Sequence, residues 1–107
     1  MIAGAMVRPR KWDNVLDLFE DNEYSAIWGE YDGNQRRCLG VRWKGNRNDP
    51  HDIGYPRQGK HPLWYVEPEF LTGQILQTLL VIATQRYDHD HRYTKNLKKA
   101  LREFWSA

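Results

Sequence analysis

Residues 24–44 read YSAIWGEYDGNQRRCLGVRWK, two stretches of β-type residues on either side of Asp32-Gly33. No other feature limits the possible folds so strongly. Asp-Gly can place both central turn residues at φ > 0, the twist that a tight antiparallel connection requires. Residues 24–31 and 36–44 are therefore expected to pair as a hairpin. In the second strand Leu39, Val41 and Trp43 alternate with Cys38, Gly40, Arg42 and Lys44. One face is apolar and the other small or basic. The run LWYV at 63–66 makes a third strand. Glu67-Pro68 closes it, because proline cannot donate to a ladder and suits the first turn of a helix.

The flanking segments read as helices. In residues 12–22, WDNVLDLFEDN, the residues Trp12, Val15, Leu16 and Phe19 fall at i, i+3, i+4 and i+7, one apolar stripe on a helix. The longest apolar segment, FLTGQILQTLLVIA at 70–83, is interrupted by polar residues and is shorter than the roughly 20 residues of a membrane span. It reads as a core helix from about 68 to 86. A last helix, 94–105, carries Tyr93, Leu97, Ala100, Leu101, Phe104 and Trp105 on an amphipathic pattern. The predicted order is α-β-β-β-α-α, an α+β fold with a three-stranded antiparallel meander and helices packed on one face. At 107 residues the chain is expected to form a single domain, 1–107, with a flexible start at 1–8.

Several chemistries are disfavoured. Cys38 is the sole cysteine, so an intrachain disulfide and a multi-thiolate zinc site are excluded, and in an alternating strand it reads as a small packed residue. The start of the chain has too short an apolar run for a secretory signal, so a cytoplasmic protein is expected. Gly54, Gly59 and Lys60 have the spacing of a phosphate loop. However, His61 stands where the hydroxyl belongs, and Pro62 and a strand follow where a helix should begin. Asp88, His89, Asp90 and His91 are potential metal ligands, but consecutive residues in a connection rarely converge on one ion. They read as a solvated link between helices, and no metal or cofactor is expected.

The net charge of +2 names no partner, but its distribution is uneven. Residues 92–102 hold five bases and no acid, and Lys95, Lys98, Lys99 and Arg102 form one cationic stripe on the last helix. Arg36, Arg42 and Lys44 share a strand face. Such patches beside aromatics can bind nucleic acid, although charged runs are more often solvated faces.

Five Trp, six Tyr and three Phe exceed what a small core needs, and imply an aromatic surface put to use. Residues 45–62 contain Gly45, Pro50, Gly54, Pro56, Gly59 and Pro62 and form a long loop, of the kind that is usually functional. It is expected to present Tyr55, Arg57, Lys60 and His61 as ligand contacts at one edge of the sheet. Both faces of the first and third strands carry large apolar residues. A monomer would leave one face wet, so a homodimer is expected, with Trp28 or Trp64 at the centre of its interface. The stretch LGVRWKG (39–45), then Gly54, Pro56, Gly59, Pro62 and WYVEP (64–68), resembles a group of small bacterial proteins of unknown function, some of them carried on integron mobile gene cassettes. The resemblance covers about residues 39–80. It implies a small soluble α+β protein, often oligomeric, with no assigned activity and no catalytic residue. The residues themselves favour an interaction module that binds a partner protein or small ligand through an aromatic-rich surface near the 45–62 loop. A nucleic-acid-binding accessory role for the basic last helix is the alternative, and a His/Asp enzyme is the least favoured.

Overall fold

The computed structural model describes residues 1–4, 11–86 and 91–106. It is α+β, with strands β1 (Trp12–Glu20), β2 (Tyr24–Tyr31), β3 (Cys38–Trp43), β4 (Arg57–Gln58), β5 (His61–Pro62) and β6 (Tyr65–Val66), then helices α1 (Glu69–Gln85) and α2 (Arg92–Trp105). The main sheet is antiparallel and four-stranded, in the order β1-β2-β3-β6, and β4 and β5 form a separate small hairpin. The three-stranded meander thus becomes four strands.

The added strand is β1, where a helix was predicted. Its apolar spacing is produced by two β-bulges. Asp13 pairs with Glu30 and Leu16 with Trp28, so two residues of β1 oppose Gly29 alone. A second irregularity falls between Asp17 and Phe19. Each bulge inserts one residue into a period-2 pattern and flips the residues that follow. Trp12 and Val15 therefore face one side of the sheet, while Leu16 and Phe19 face the other. The i, i+3, i+4, i+7 spacing serves two faces and no helix stripe. Asn14, inside the first bulge, takes φ 51°, which bulged residues often require.

The Asp32-Gly33 turn forms as the sequence indicates. Asp32 and Gly33 have φ 54° and 80°, and Asn34 N–H donates to the Tyr31 carbonyl at 3.1 Å. The hairpin it closes is looser than a two-residue loop, because the last pair of β2 with β3 is Gly29 with Cys38.

Each sheet face has its own core. On one face Leu18, Phe19, Ala26, Trp28, Leu39 and Val41 meet Leu76, Leu79 and Ala83 of α1 and Leu97 and Ala100 of α2. There α2 packs on β1, and α1 on β3. Trp28 is buried beneath them, and its Nε1–H donates to Glu103 Oε1 at 2.8 Å, so the polar tip is satisfied. On the opposite face Trp12, Ile27 and Trp64 cluster with Ile2, Val15 and Val66. The Trp12 ring lies close over Gly29 and Gly40, where an added Cβ would come within about 3 Å of it or of neighbouring side chains. Residues 1–4, expected to be flexible, lie against the sheet. Ile2 N–H donates to the Lys44 carbonyl at 3.1 Å, and Gly4 N–H to Glu20 Oε1 at 2.6 Å.

This second core corrects the premise of the dimer expectation. The second face is covered from within the chain. Trp28 is 2% and Trp64 6% exposed, so neither is available to anchor a partner. The basic strand face is corrected too. Arg42 and Lys44 are buried, and Arg36 precedes the strand. Lys44 Nζ donates to the Asp21 carbonyl at 2.8 Å and lies 3.5 Å from Glu20 Oε2.

Candidate functional site: an aromatic cleft at the sheet edge

Past its last pair with β6, strand β3 is bordered by the 45–62 loop. Trp43 and Tyr55 form an antiparallel bridge, with Trp43 N–H to Tyr55 O at 2.7 Å and Tyr55 N–H to Trp43 O at 3.0 Å. On its other side Trp43 pairs with Tyr24 of β2, and one step along, Val41 pairs with Tyr65 of β6. Directly opposed residues in antiparallel strands project to the same face. Tyr24, Trp43 and Tyr55 therefore form a row across the sheet, with Tyr65 in the adjacent row. The side chains share the face that carries the helical core, and Tyr24 packs against that core, but no helix residue lines the space they enclose. Trp43, Tyr55 and Tyr65 are 53%, 66% and 51% exposed.

These rings border a cleft of about 290 Å³, completed by Pro56, Val41, Arg42 and Glu67. The Tyr24 and Trp43 rings meet edge-on, with centroids 5.1 Å apart and planes at 66°, so they make two walls of a corner. Glu67 is half-buried. Its backbone N–H is held by the Leu39 carbonyl at 2.9 Å, while its carboxylate has no ion pair or hydrogen bond among the described residues. Its charge is felt nonetheless. Burial, and after it the negative charge of Glu67, pushes the Tyr24 phenol up to about 12.

The loop is set by polar contacts close to the chain. The Asp52 carboxylate accepts from Asn46 N–H at 2.8 Å and Gly54 N–H at 3.0 Å, and these backbone bonds hold its pKa below the ordinary value. On the reverse face of the sheet the Arg42 guanidinium donates to the carbonyls of Ile53 and, at 3.5 Å, Leu63. It thereby ties both ends of the segment that contains Tyr55 and the β4–β5 hairpin to β3. Arg42 is 1% exposed, its Nε has no partner among the described residues, and burial lowers its pKa. Gly54 must pass directly over β3, with φ 80° and an added Cβ only 2.0 Å from the Trp43 carbonyl oxygen.

A larger cavity, about 640 Å³, lies between the β2–β3 connection, the start of α1 and the end of α2. Glu67 borders this cavity as well, and its other charged groups are already committed. Arg37 NH1 is 3.4 Å from Glu103 Oε2, Arg36 NH1 is 3.8 Å from Glu69 Oε1, and Thr72 Oγ1 donates to the Pro68 carbonyl at 3.0 Å. Cys38 lines this cavity half-buried, and burial raises its thiol pKa, the opposite of what activates a nucleophile. The aromatic cleft shares Glu67 with this cavity and differs from it in its exposed rings.

Of the residues expected to contact a ligand, Tyr55 enters the cleft. Arg57, Lys60 and His61 stand exposed on the β4–β5 hairpin and do not line it. Lys95, Lys98, Lys99 and Arg102 are exposed on α2, the helix that packs on β1, whereas the cleft lies beyond β3 at the other side of the sheet. Asp88, His89 and Asp90 lie outside the described residues. His91 heads α2, and no group of three His, Cys, Asp or Glu among the described residues is placed to hold a metal ion. No helix among them is long and apolar enough to cross a membrane. No sequence pattern marks Trp43, Tyr24, Tyr65 or Glu67 as site residues. The alternation of β3 puts Trp43 on the apolar face, but only the strand register reveals that it runs past the helices and beside three tyrosines.

Comparison with protein-family models, with curated proteins and with solved structures returns no match to this chain.

Proposed function

We propose that this chain is a small binding module that receives a ligand group in the cleft of Tyr24, Trp43, Tyr55, Tyr65 and Glu67. One observation carries this reading. Four aromatic side chains from four separate stretches of sequence are brought to a single concave patch, and three of them keep half or more of their surface open to water. Leaving such rings exposed forfeits burial free energy on the order of 1 kcal/mol or more each, and contiguous exposed apolar surface commonly marks a binding site. Strands and a tied-down loop hold the rings, so little ordering entropy opposes binding. The stretches that carry the resemblance to integron-cassette proteins supply Trp43, Tyr65 and Glu67, and we extend the same proposal to that likeness. The nucleic-acid alternative is less favoured because the basic stripe and the aromatic patch are not adjacent, and phosphate near Glu67 would be repelled.

The test is a fragment screen by two-dimensional NMR that includes neutral aromatics, organic cations and nucleotides. Hits should shift the Trp43 indole signal, identified by its loss in Trp43→Phe, and should weaken in Tyr55→Ala. A screen whose hits all fall elsewhere on the chain would refute the reading.

A further inference from the structure

We infer that the cleft is selective for a methylated ammonium group, a trimethylammonium head that lies against the faces of Trp43, Tyr55 and Tyr65 with Glu67 as its counter-charge. This rests on the binding reading above and specifies its ligand. The argument is one of complementarity. Aromatic faces carry negative electrostatic potential and attract a cation within about 6 Å of the ring centroid, with Trp the strongest. The Tyr24–Trp43 pair, in edge-to-face contact, forms one side of the space, and Tyr55 and Tyr65 border it.

Glu67 decides the sign of the ligand. Any group that fills the cleft takes water from a half-buried carboxylate that has no cationic partner among the described residues. A neutral occupant leaves that desolvation uncompensated and an anion worsens it, whereas a cation offsets it. The cations that line the cleft or the adjoining cavity are engaged elsewhere, Arg42 with loop carbonyls, Arg36 with Glu69 and Arg37 with Glu103.

Methylation follows from hydrogen-bonding capacity. A primary ammonium has three N–H donors to satisfy; Glu67 can accept at its side of the cleft, but the ring faces accept the remaining donors poorly. A trimethylammonium has no donors, is weakly hydrated, and offers methyl groups to the rings. At about 290 Å³ the cleft is at the small end for ligand sites, so it suits a head group more than a drug-sized molecule.

The experiment titrates the 15N-labelled chain with tetramethylammonium, choline, phosphocholine and 3,3-dimethyl-1-butanol, the uncharged isostere of choline, at constant ionic strength. The Trp43 indole signal is followed throughout. Choline should produce a saturable shift and bind roughly tenfold tighter than its isostere, and Glu67→Gln should remove most of that difference. Amide spectra establish that the variant is folded. Phosphocholine binding as well as choline identifies a lipid-type head group as an acceptable source, and weaker binding identifies the free cation. If the isostere binds as well as choline, or Glu67→Gln leaves the ratio unchanged, the cation inference fails. Neutral fragments that still shift Trp43 would leave the binding reading standing, and no compound shifting Trp43 would overturn both.

Discussion

Gly54 and Gly33 share the same φ of 80°, yet they should respond differently to one added methyl group. At Gly33 an added Cβ meets nothing within 4 Å, so Gly33→Ala carries only the left-handed backbone cost of about 1 kcal/mol. At Gly54 the same carbon would sit 2.0 Å from the Trp43 carbonyl oxygen and 2.7 Å from Lys44 C. Backbone must move, the Trp43–Tyr55 bridge opens, and Gly54→Ala should cost about 3 kcal/mol or more in urea unfolding. Equal losses in the two variants would contradict the described loop path. Tyr24 makes a second residue-scale prediction. Its folded pKa of about 12 lies above the ordinary phenol value of 10.0. The folded state therefore holds a proton that the unfolded state releases first. The stabilising contribution is fully present below pH 10 and is lost as pH rises to about 12. Tyr24→Phe should flatten that part of the alkaline stability curve, and Glu67→Gln should lower the phenol pKa seen in absorbance titration. Only part of this chemistry could be read from the sequence. Tyr55 stands out in a Gly/Pro-rich loop, but its proximity to Trp43 depends on a bridge between distant residues that no local pattern encodes.

The element that misleads is β1, for a physical reason. Hydrophobic spacing reports period, and two bulges convert a period of two into a mimic of 3.6. The β4–β5 hairpin, two residues a strand inside the expected 45–62 loop, is too short to show a period, whereas the helices are legible because one period serves one face. In α1 the buried residues Thr72, Gly73, Leu76, Leu79 and Ala83 follow a single stripe, and in α2 Leu97 and Ala100 do so beside half-buried Tyr93, Leu101 and Phe104. Asn14 tests the assignment of β1. In a helix, Asn14→Gly would be mildly destabilising, and Asn14→Val close to neutral. At φ 51° in a bulge, Gly fits at least as well as Asn, apart from one exposed hydrogen bond to Glu30 Oε1 at 2.9 Å, while Val is strained. Asn14→Gly should therefore leave the thermal midpoint nearly unchanged, and Asn14→Val should cost about 1–2 kcal/mol. The reverse order would restore the helix. Asp21 ties the β1–β2 turn together and reaches α1. Its carboxylate accepts from Glu23 N–H and Tyr24 N–H, both at 2.8 Å, and from Arg86 NH1 at 2.9 Å. Burial raises its pKa, but these donors together prevail and hold it below the ordinary carboxylate value of 3.8. Its stabilising contribution is thus present above the unfolded-state pKa and lost as pH falls through the lower folded value. Asp21→Ala should cost about 1–3 kcal/mol at neutral pH and flatten the acid limb of the stability curve.

At the scale of the whole molecule both sheet faces are largely buried, one under the helices and the other where Ile2 and Trp64 pack with the sheet's own Trp12, Val15, Ile27 and Val66. This removes the reason to bury the second face against another copy. The exposed large apolar residues lie elsewhere, at Trp43, Tyr55 and Tyr65 in the cleft and at Phe70, Leu71, Val81 and Trp105 on the helices. Phe70 is 81% and Trp105 66% exposed, and the Trp105 ring lies close enough to Gly73 that an added Cβ would stand 2.7 Å from it. A pairing surface built by this chain is thus expected on the helical layer. The five tryptophans report this division directly. Trp12, Trp28 and Trp64 are buried at 8%, 2% and 6% exposure, while Trp43 and Trp105 are open. Acrylamide quenching should resolve a protected blue-emitting class and an accessible red-emitting class, and the double variant Trp43→Phe, Trp105→Phe should lose nearly all of the accessible class without loss of folding. Dilution separates the two open residues. Self-association through the helical layer would protect Trp105 at high concentration and leave Trp43 as quenchable as before. A homodimer through the sheet face that carries Trp12 and Trp64 would do neither, because those tryptophans are already shielded within one chain. If concentration protected Trp43 alone, a second copy would be covering the cleft, and light scattering on Tyr55→Ala would then have to show a return to the 12.8 kDa single-chain mass.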